Sequence, residues 1–476
     1  MKTVALHTLG CKVNAYETEG MQQILSQNGF RIVPFDTKAD IYIINTCSVT
    51  NIADHKSRQM LHKAKKTNPE AVIIACGCYV QTGRENLEAD PDVDILVGNN
   101  EKRNIAEVIS DYYRTADMQA ETDDRDFSSG DSERCVHKTK ISRIDNMDES
   151  LPYEEMRLDS YRTRTRGFVK IQDGCNRFCT YCVIPYARGR VRSRQITDII
   201  AETEALVKSG CTEIVLTGIH ISSFGTDRGD TELLKLLIEL NKIDGLNRIR
   251  LGSLEPAYVT GEWIAGVSEV DKLCPHFHLS LQSGSETVLK RMNRHYTPKE
   301  YYEAVCRIRE AYDEPAITTD VIVGFPQETE EEYEQSYEFV KKVGFYELHV
   351  FKYSKRDGTV AARLPGQITE KIKNERSAKM IALGDEMSVD YRISRLGSRV
   401  TVIPEEYKTI DGTEYLCGFT PEYICAAIPV DMAEEHGIDP GSASFGKSAP
   451  KKHLFRQITG ILTKMLTDDI VLLSRV

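Results

Sequence analysis

Three cysteines fall within eight residues at Cys175-Asn-Arg-Phe-Cys179-Thr-Tyr-Cys182. Thiolates at that spacing, on a loop leaving a strand, can hold three corners of a cubic four-iron cluster. The fourth iron then has no protein ligand and stays open to a substrate or cofactor. Zinc is the competing reading, but it takes four ligands in paired spacing, and no local fourth Cys or His completes such a set. Three more cysteines, Cys11, Cys47 and Cys78, each come just after a predicted strand. Ligands of open α/β sheets gather at the carboxyl ends of strands, so thiols far apart in sequence can converge there. They would make a second three-thiolate site. Cys76 competes with Cys78 for the third place, and buried free thiols are the plain alternative for all of them.

The elements that must position these cysteines alternate. Strands are predicted at Thr3–His7, Ile41–Asn45, Val72–Cys76 and Val93–Val97, with helices at Ala15–Gln27 and Ile52–Lys66. Such alternation implies an open parallel sheet with helices on both faces, over residues 1–113. Residues 114–160 are polar and acidic and read as a linker. From 161 to 396 the alternation resumes. Strands are predicted at Phe168–Gln172, Glu213–Leu216, Arg248–Leu251, Phe277–Leu281, Thr319–Val323 and Glu347–Phe351. Six βα units make a curved parallel sheet, a partial (β/α)6 barrel. A helix over Glu370–Arg395 closes this part. Residues 397–476 then read as a small β domain with short strands at Arg399–Pro404, Glu414–Phe419 and Tyr423–Val430. The fold class is α/β.

Composition bounds the rest. The 476 residues carry 13 cysteines and a net charge of −11. The start lacks the apolar run of a signal peptide and no stretch reaches a membrane span, so a cytoplasmic protein is expected, with no disulfide framework. Overall acidity argues against wholesale nucleic-acid coating. Yet between Arg157 and Arg194 ten Lys/Arg stand against two acids, Asp159 and Asp173. That local excess would attract backbone phosphates, with Arg188, Arg190, Arg192 and Arg194 as candidate RNA contacts. A solvated basic face is the alternative. Lys447, Lys451, Lys452 and Arg456 form a second basic stretch, of which Lys451 and Lys452 are assigned to RNA.

The phrases TLGCKVNAYETEG, INTCSVTNIADHKSR and ACGCYVQ resemble the three cysteine blocks of the radical-SAM methylthiotransferases. The central block GCNRFCTYCVIPYARGRVRSR, with Tyr181 in the aromatic slot of C-x3-C-x-aromatic-C, resembles the same family. So do LTGIHISSFG, HLSLQSGSETVLKRMNR and TDVIVGFPQET, and the resemblance runs from Thr8 to Thr329. It implies two 4Fe–4S clusters. Cys175, Cys179 and Cys182 would hold the one that S-adenosylmethionine chelates and that generates a 5′-deoxyadenosyl radical. Cys11, Cys47 and Cys78 would hold an auxiliary one, because in the third block the ligand is the cysteine ahead of the Val80-Gln81 pair. S-adenosylmethionine would then serve twice, as methyl donor and as radical source. Tyr181, Gly218, Ser253 and Gln282 lie where the family binds it. The small β domain stands in the place of the family's RNA-binding TRAM barrel, from which this sequence departs beyond Asp431.

Within the family, Gly10-Cys11-Lys12-Val13-Asn14 followed by Tyr16-Glu17-Thr18-Glu19 resembles the branch acting on N6-threonylcarbamoyladenosine beside the tRNA anticodon, at position 37. That branch adds a 2-methylthio group. The isopentenyladenosine branch is the alternative, a ribosomal-protein target stands behind both, and a non-catalytic iron–sulfur redox sensor is the rival of another class. The expected partners are tRNA and an external electron donor such as a flavodoxin or ferredoxin. The chain is expected to be a monomer. Cys135, Cys211, Cys274, Cys306, Cys417 and Cys425 are assigned to packing.

Overall fold

Ile41–Thr46 and Val72–Gly77 are buried at every position, as strands are when both faces of a parallel sheet are covered. They are β3 and β4 of a six-stranded sheet that also contains β1 (Thr3–Thr8), β2 (Arg31–Val33), β5 (Ile95–Val97) and β6 (Ile141–Arg143). The order is β2-β1-β3-β4-β5-β6, and every pair is parallel. The chain therefore reverses its direction of winding between β1 and β3, which opens a crevice at their carboxyl ends. Helices α1 (Lys12–Gln27) and α2 (Asn51–Thr67) follow β1 and β3, and Thr50 caps α2 by accepting from the Ala53 amide at 3.2 Å. The short α3 (Cys78–Thr82) and α4 (Arg84–Glu88) follow β4. One face buries Tyr42, Ile44, Leu61, Ile73, Val80 and Leu96 together. Each such aliphatic or aromatic side chain contributes about 1.5–3 kcal/mol.

This computed structural model describes residues 1–123, 140–147, 151–161, 165–436, 438 and 457–476. The chain forms two compact units. The first comprises Met1–Leu158, Asp173–Arg192 and Ser354–Thr359, the second Asp159–Gln172, Ser193–Tyr353 and Val360–Val476. The sheet above belongs to the first. Part of the stretch expected as a linker is built into it. Helix α5 (Ile105–Asp123) runs ten residues into that stretch, and β6 pairs with β5 through Leu96 and Ser142. Polar composition hid both, since α5 and β6 carry many exposed polar residues on their outer sides. Cys135 lies outside the described residues.

The second unit begins its sheet with β7 (Gly167–Lys170). Two-residue strands β8 (Gln172–Asp173) and β9 (Arg192–Ser193) flank the cysteine loop and its helix α6 (Ile184–Arg188). Then come β10 (Glu213–Thr217), β11 (Arg248–Leu251), β12 (His276–His278), β13 (Ala316–Val323) and β14 (Glu347–Lys352). They form two parallel three-stranded groups, β11-β10-β7 and β12-β13-β14, joined by the parallel bridge Leu254–Leu279. This is the six-stranded partial barrel expected from the sequence. Two of its helices, Pro298–Ala311 and Glu330–Val343, start with full capping boxes at Thr297/Glu300 and Thr329/Glu332.

The final part of the second unit is a closed five-stranded barrel of β15 (Arg399–Ile410), β16 (Thr413–Phe419), β17 (Cys425–Pro429), β18 (Ile458–Met465) and β19 (Ile470–Ser474). The last two strands were not legible in the sequence. Their apolar residues serve a core shared with Val402, Leu416, Ile428 and, from the partial barrel, Ala316 and Tyr346. Buried Glu213 pairs with Arg250 at 2.9 Å and Arg248 at 3.4 Å, and these arginines donate to the Pro421 and Phe419 carbonyls. Burial opposes the Glu213 charge, but the two arginines outweigh it and hold the carboxyl below its ordinary pKa. No helix among the described residues is long and apolar enough to cross a membrane.

Candidate cluster-binding site

Cys11 caps α1 just after β1, Cys47 follows β3, and Cys78 opens α3 just after β4. They stand at the carboxyl ends of three neighbouring strands, on either side of the winding reversal and one strand beyond it. The approach is close. A Cβ on Gly10 (φ +94°) would come within 2.7 Å of the Cys47 sulfur, so only glycine lets the Cys11 turn pass there. Gly77 (φ +97°) is held in the same way, 2.5 Å from the Thr46 carbonyl oxygen. Burial pushes the Cys47 thiol up to about 11, with Cys78 and Cys11 adding to the shift. Thiols that repel one another as anions suit a site where metal charge offsets them.

Cys76 and Cys78 part company. Cys76 is buried within β4, and its thiol donates to the Ile44 carbonyl at 3.6 Å. Burial raises it to about 12. Cys78, past the Gly77 turn, receives hydrogen bonds on its sulfur from Arg188 Nε at 3.3 Å and Asn99 Nδ2 at 3.6 Å.

Cys175, Cys179 and Cys182 lie in the same unit. Gly174 (φ +71°) turns the chain into their loop, the Cys175 amide donates to the Gly189 carbonyl at 3.0 Å, and the Cys182 amide to Cys179 at 2.9 Å. Phe178 takes φ +48°, packs edge-on against Tyr186 and lies under the Arg190 guanidinium at 4.6 Å. Helix α6, with Pro185 in its first turn, carries Arg188 back to Cys78, and Asn99 ties it down by donating to the Ala187 carbonyl at 2.8 Å.

The four arginines expected to face RNA separate sharply. Arg188 is fully buried on Glu17, Asp173 and Asn14. Arg194 is buried in an ion pair with Glu202, and Arg192 is buried near Asp173 at 3.7 Å. As RNA contacts these three are corrected, because all three are buried and each is turned toward a buried carboxylate. Arg190 is exposed. Lys451 and Lys452 lie outside the described residues. Tyr181 is half-buried on the cysteine loop. In the second unit, Gly218 follows β10, Ser253 follows β11, and Gln282 (φ +69°) lies beyond β12.

Several residues of this architecture were missed. Glu17 sits fully buried behind Cys11 and joins Arg188 to Lys102. Its spacing from Cys11 gave no signal, since six residues on it lies on a different face of α1. Arg356 donates to Ser48 at 2.7 Å and pairs with Asp54 at 2.6 Å, bracing the chain that carries Cys47. No local pattern connects it with Cys47. In the second unit His220 meets Glu255 at 3.0 Å and Arg294 meets Glu255 at 3.6 Å, linking the loops after β10, β11 and β12.

The family model "Uncharacterized protein family UPF0004" matches residues 3–98, the cysteine-bearing sheet. The Radical SAM superfamily matches residues 169–340. A Bacillus subtilis protein named threonylcarbamoyladenosine tRNA methylthiotransferase MtaB is 42% identical over 426 residues, 89% of this chain and 90% of that protein. The chain belongs to the radical-SAM methylthiotransferase family. Another MtaB, from Aquifex aeolicus, is 39% identical over 78% of this chain and 85% of its own length. A tRNA-2-methylthio-N(6)-dimethylallyladenosine synthase from Thermodesulfovibrio yellowstonii is 34% identical over 86% of this chain and 89% of that protein. Among solved structures, the radical S-adenosylmethionine methyltransferase TsrM from Kitasatospora setae, with cobalamin and a [4Fe-4S] cluster bound, shares the fold at TM-score 0.51 and 14% identity, covering 74% of this chain and 75% of that one. As a methylthiotransferase family member, the chain pairs the two matched regions with the closed β barrel at its end.

Proposed function

We propose that this chain is a tRNA methylthiotransferase that replaces the C2 hydrogen of N6-threonylcarbamoyladenosine at position 37 by a methylthio group. One observation carries the reading: two separate groups of three cysteines lie in one compact unit of a chain that is 42% identical to a protein of that name. The donor set fits two clusters. Cys11, Cys47 and Cys78 stand at adjacent strand ends, and the Cys78 sulfur faces two hydrogen-bond donors, as suits a thiolate. We assign those three to the auxiliary 4Fe–4S cluster and Cys175, Cys179 and Cys182 to the other.

When bound, these groups with S-adenosylmethionine supply the sulfur, the methyl group and the hydrogen-abstracting carbon radical that an unactivated C2–H bond requires. The chain's own part is to ligate, orient and keep water out. Gly218, Ser253 and Gln282 in the second unit, and Tyr181 on the cysteine loop, are assigned to S-adenosylmethionine. Of the four arginines assigned to RNA, Arg190 is the exposed one kept as a contact, with Lys451 and Lys452 as further RNA contacts. Electrons come from an external donor such as a flavodoxin or ferredoxin, and the chain acts as a cytoplasmic monomer.

The dimethylallyladenosine reading rests on relatives such as the one at 34% identity, below the 42% of the threonylcarbamoyl relative. Mass spectrometry of nucleosides from tRNA of the native host, with and without this gene, separates the two. Loss of methylthio-threonylcarbamoyladenosine with build-up of its unthiolated form is expected. A change in the isopentenyl nucleoside alone contradicts the substrate, and no change in either contradicts the reaction.

A further inference from the structure

Arg188 is the terminal residue of α6, the helix that follows the Cys175–Cys182 loop, yet its side chain ends at Cys78. It is fully buried, and its donors are spoken for: Nε to Cys78 at 3.3 Å, Nη1 to Glu17 at 2.8 Å and Asp173 at 3.1 Å, Nη2 to Asn14 at 2.7 Å. Each carboxylate it meets is shared with a second cation, Glu17 with Lys102 and Asp173 with Arg192. The fourth partner of the guanidinium, beside Glu17, Asp173 and Asn14, is the Cys78 sulfur. Asn99 supplies a second donor to the same sulfur while holding α6 through the Ala187 carbonyl and accepting from Lys102 at 2.8 Å. Of the three cysteines assigned to the auxiliary cluster, Cys78 receives both the Arg188 and the Asn99 bond.

We infer that Arg188 is a positioning residue that sets the reduction potential of the cluster held by Cys11, Cys47 and Cys78. The inference rests on the assignment of those cysteines made above. A charged donor on a ligating sulfur draws electron density away from the iron, and hydrogen bonds to cluster sulfurs are a main control of potential. The effect is large where water is excluded. Because the donor rides on the helix that ends the other cysteine loop, the potential of one cluster depends on how the loop of the other is seated.

The test uses the full chain carrying Cys175→Ala, Cys179→Ala and Cys182→Ala, so that only the auxiliary cluster forms. Its midpoint is read by an EPR-monitored redox titration, with iron and sulfide analysis. Arg188→Gln is expected to shift the midpoint to more negative potential at unchanged iron content. Arg188→Lys, which keeps the charge but loses the planar donor set, is expected to shift it less, in the same direction. It is the variant to read if Arg188→Gln loses iron. An unchanged midpoint with full iron overturns the inference and leaves the cysteine assignment standing. Loss of iron from both variants in a folded chain replaces a tuning role by a ligand-holding one and also overturns it. Failure of the triple-alanine chain to bind any cluster with Arg188 intact overturns the cysteine assignment itself.

Discussion

A Cβ placed on Gly174 would lie 1.8 Å from the carbonyl oxygen of Arg190, with φ at +71°. The backbone at the start of the Cys175 loop is thus pressed against the Gly189–Arg190 bend that follows α6, and no side chain fits between them. Gly174→Ala must push the two segments apart, and Cys175 moves with its neighbour. We expect this variant to lose iron from the Cys175, Cys179 and Cys182 site while keeping the auxiliary cluster. Iron content near half that of the wild type, with auxiliary-cluster EPR retained, is the check.

The two cysteine groups are expected to load independently. Alanine at Cys11, Cys47 and Cys78 together removes one cluster and leaves the other, and the reverse triple variant does the converse. Cys76→Ala should leave iron content unchanged, because its thiol is spent on the Ile44 carbonyl within β4. Iron and sulfide assays on the three proteins decide this.

Arg190 and Arg194 should respond differently to substitution although both belong to one basic run. Arg190→Glu is expected to weaken tRNA binding and to lower the salt slope by about 1, with the melting temperature kept. Arg194→Met removes the cation paired with the buried Glu202 carboxylate and should cost about 3–5 kcal/mol of stability. Filter binding across a salt series and thermal melting separate the two.

That contrast shows what the sequence could and could not tell. The strands bearing Cys11, Cys47 and Cys78 were legible because apolar runs and turns are local signals, and the strand-end rule then brought the thiols together. The charge excess around Arg188 was legible too, but its direction was not. Whether an arginine faces solvent or a buried carboxylate depends on Glu17, more than 170 residues earlier in the chain. The choice of Cys78 over Cys76 came from resemblance; in the fold, the Gly77 turn sets Cys78 past the end of β4 and leaves Cys76 inside it. Strands β18 and β19 escaped because they close a barrel with partners on β15 and β17, and no short-range pattern announces such pairings.

Glu332 gives a pH signature for the second unit. Burial opposes its charge, but Arg291, Thr287 and the Thr329 amide outweigh that and hold its carboxyl at about 2, against an ordinary 4.5. A depressed carboxyl stabilises the fold fully above the ordinary value, and the contribution fades as pH falls from 4.5 toward 2. Glu332→Gln should therefore lower the melting temperature at neutral pH, with the gap narrowing as the solution is acidified through that window. A gap that stays constant with pH would mean that the ion pair is not its source.

The central claim is the reaction and its substrate. The most direct test incubates the reconstituted full-length chain, with S-adenosylmethionine and a reductant, with tRNA carrying either N6-threonylcarbamoyladenosine or N6-isopentenyladenosine at position 37. Digested nucleosides are then read by mass spectrometry. The account expects the methylthio derivative from the threonylcarbamoyl tRNA, with 5′-deoxyadenosine formed alongside it. Methylthiolation of the isopentenyl tRNA alone, or a fully loaded enzyme that forms no 5′-deoxyadenosine, would contradict it.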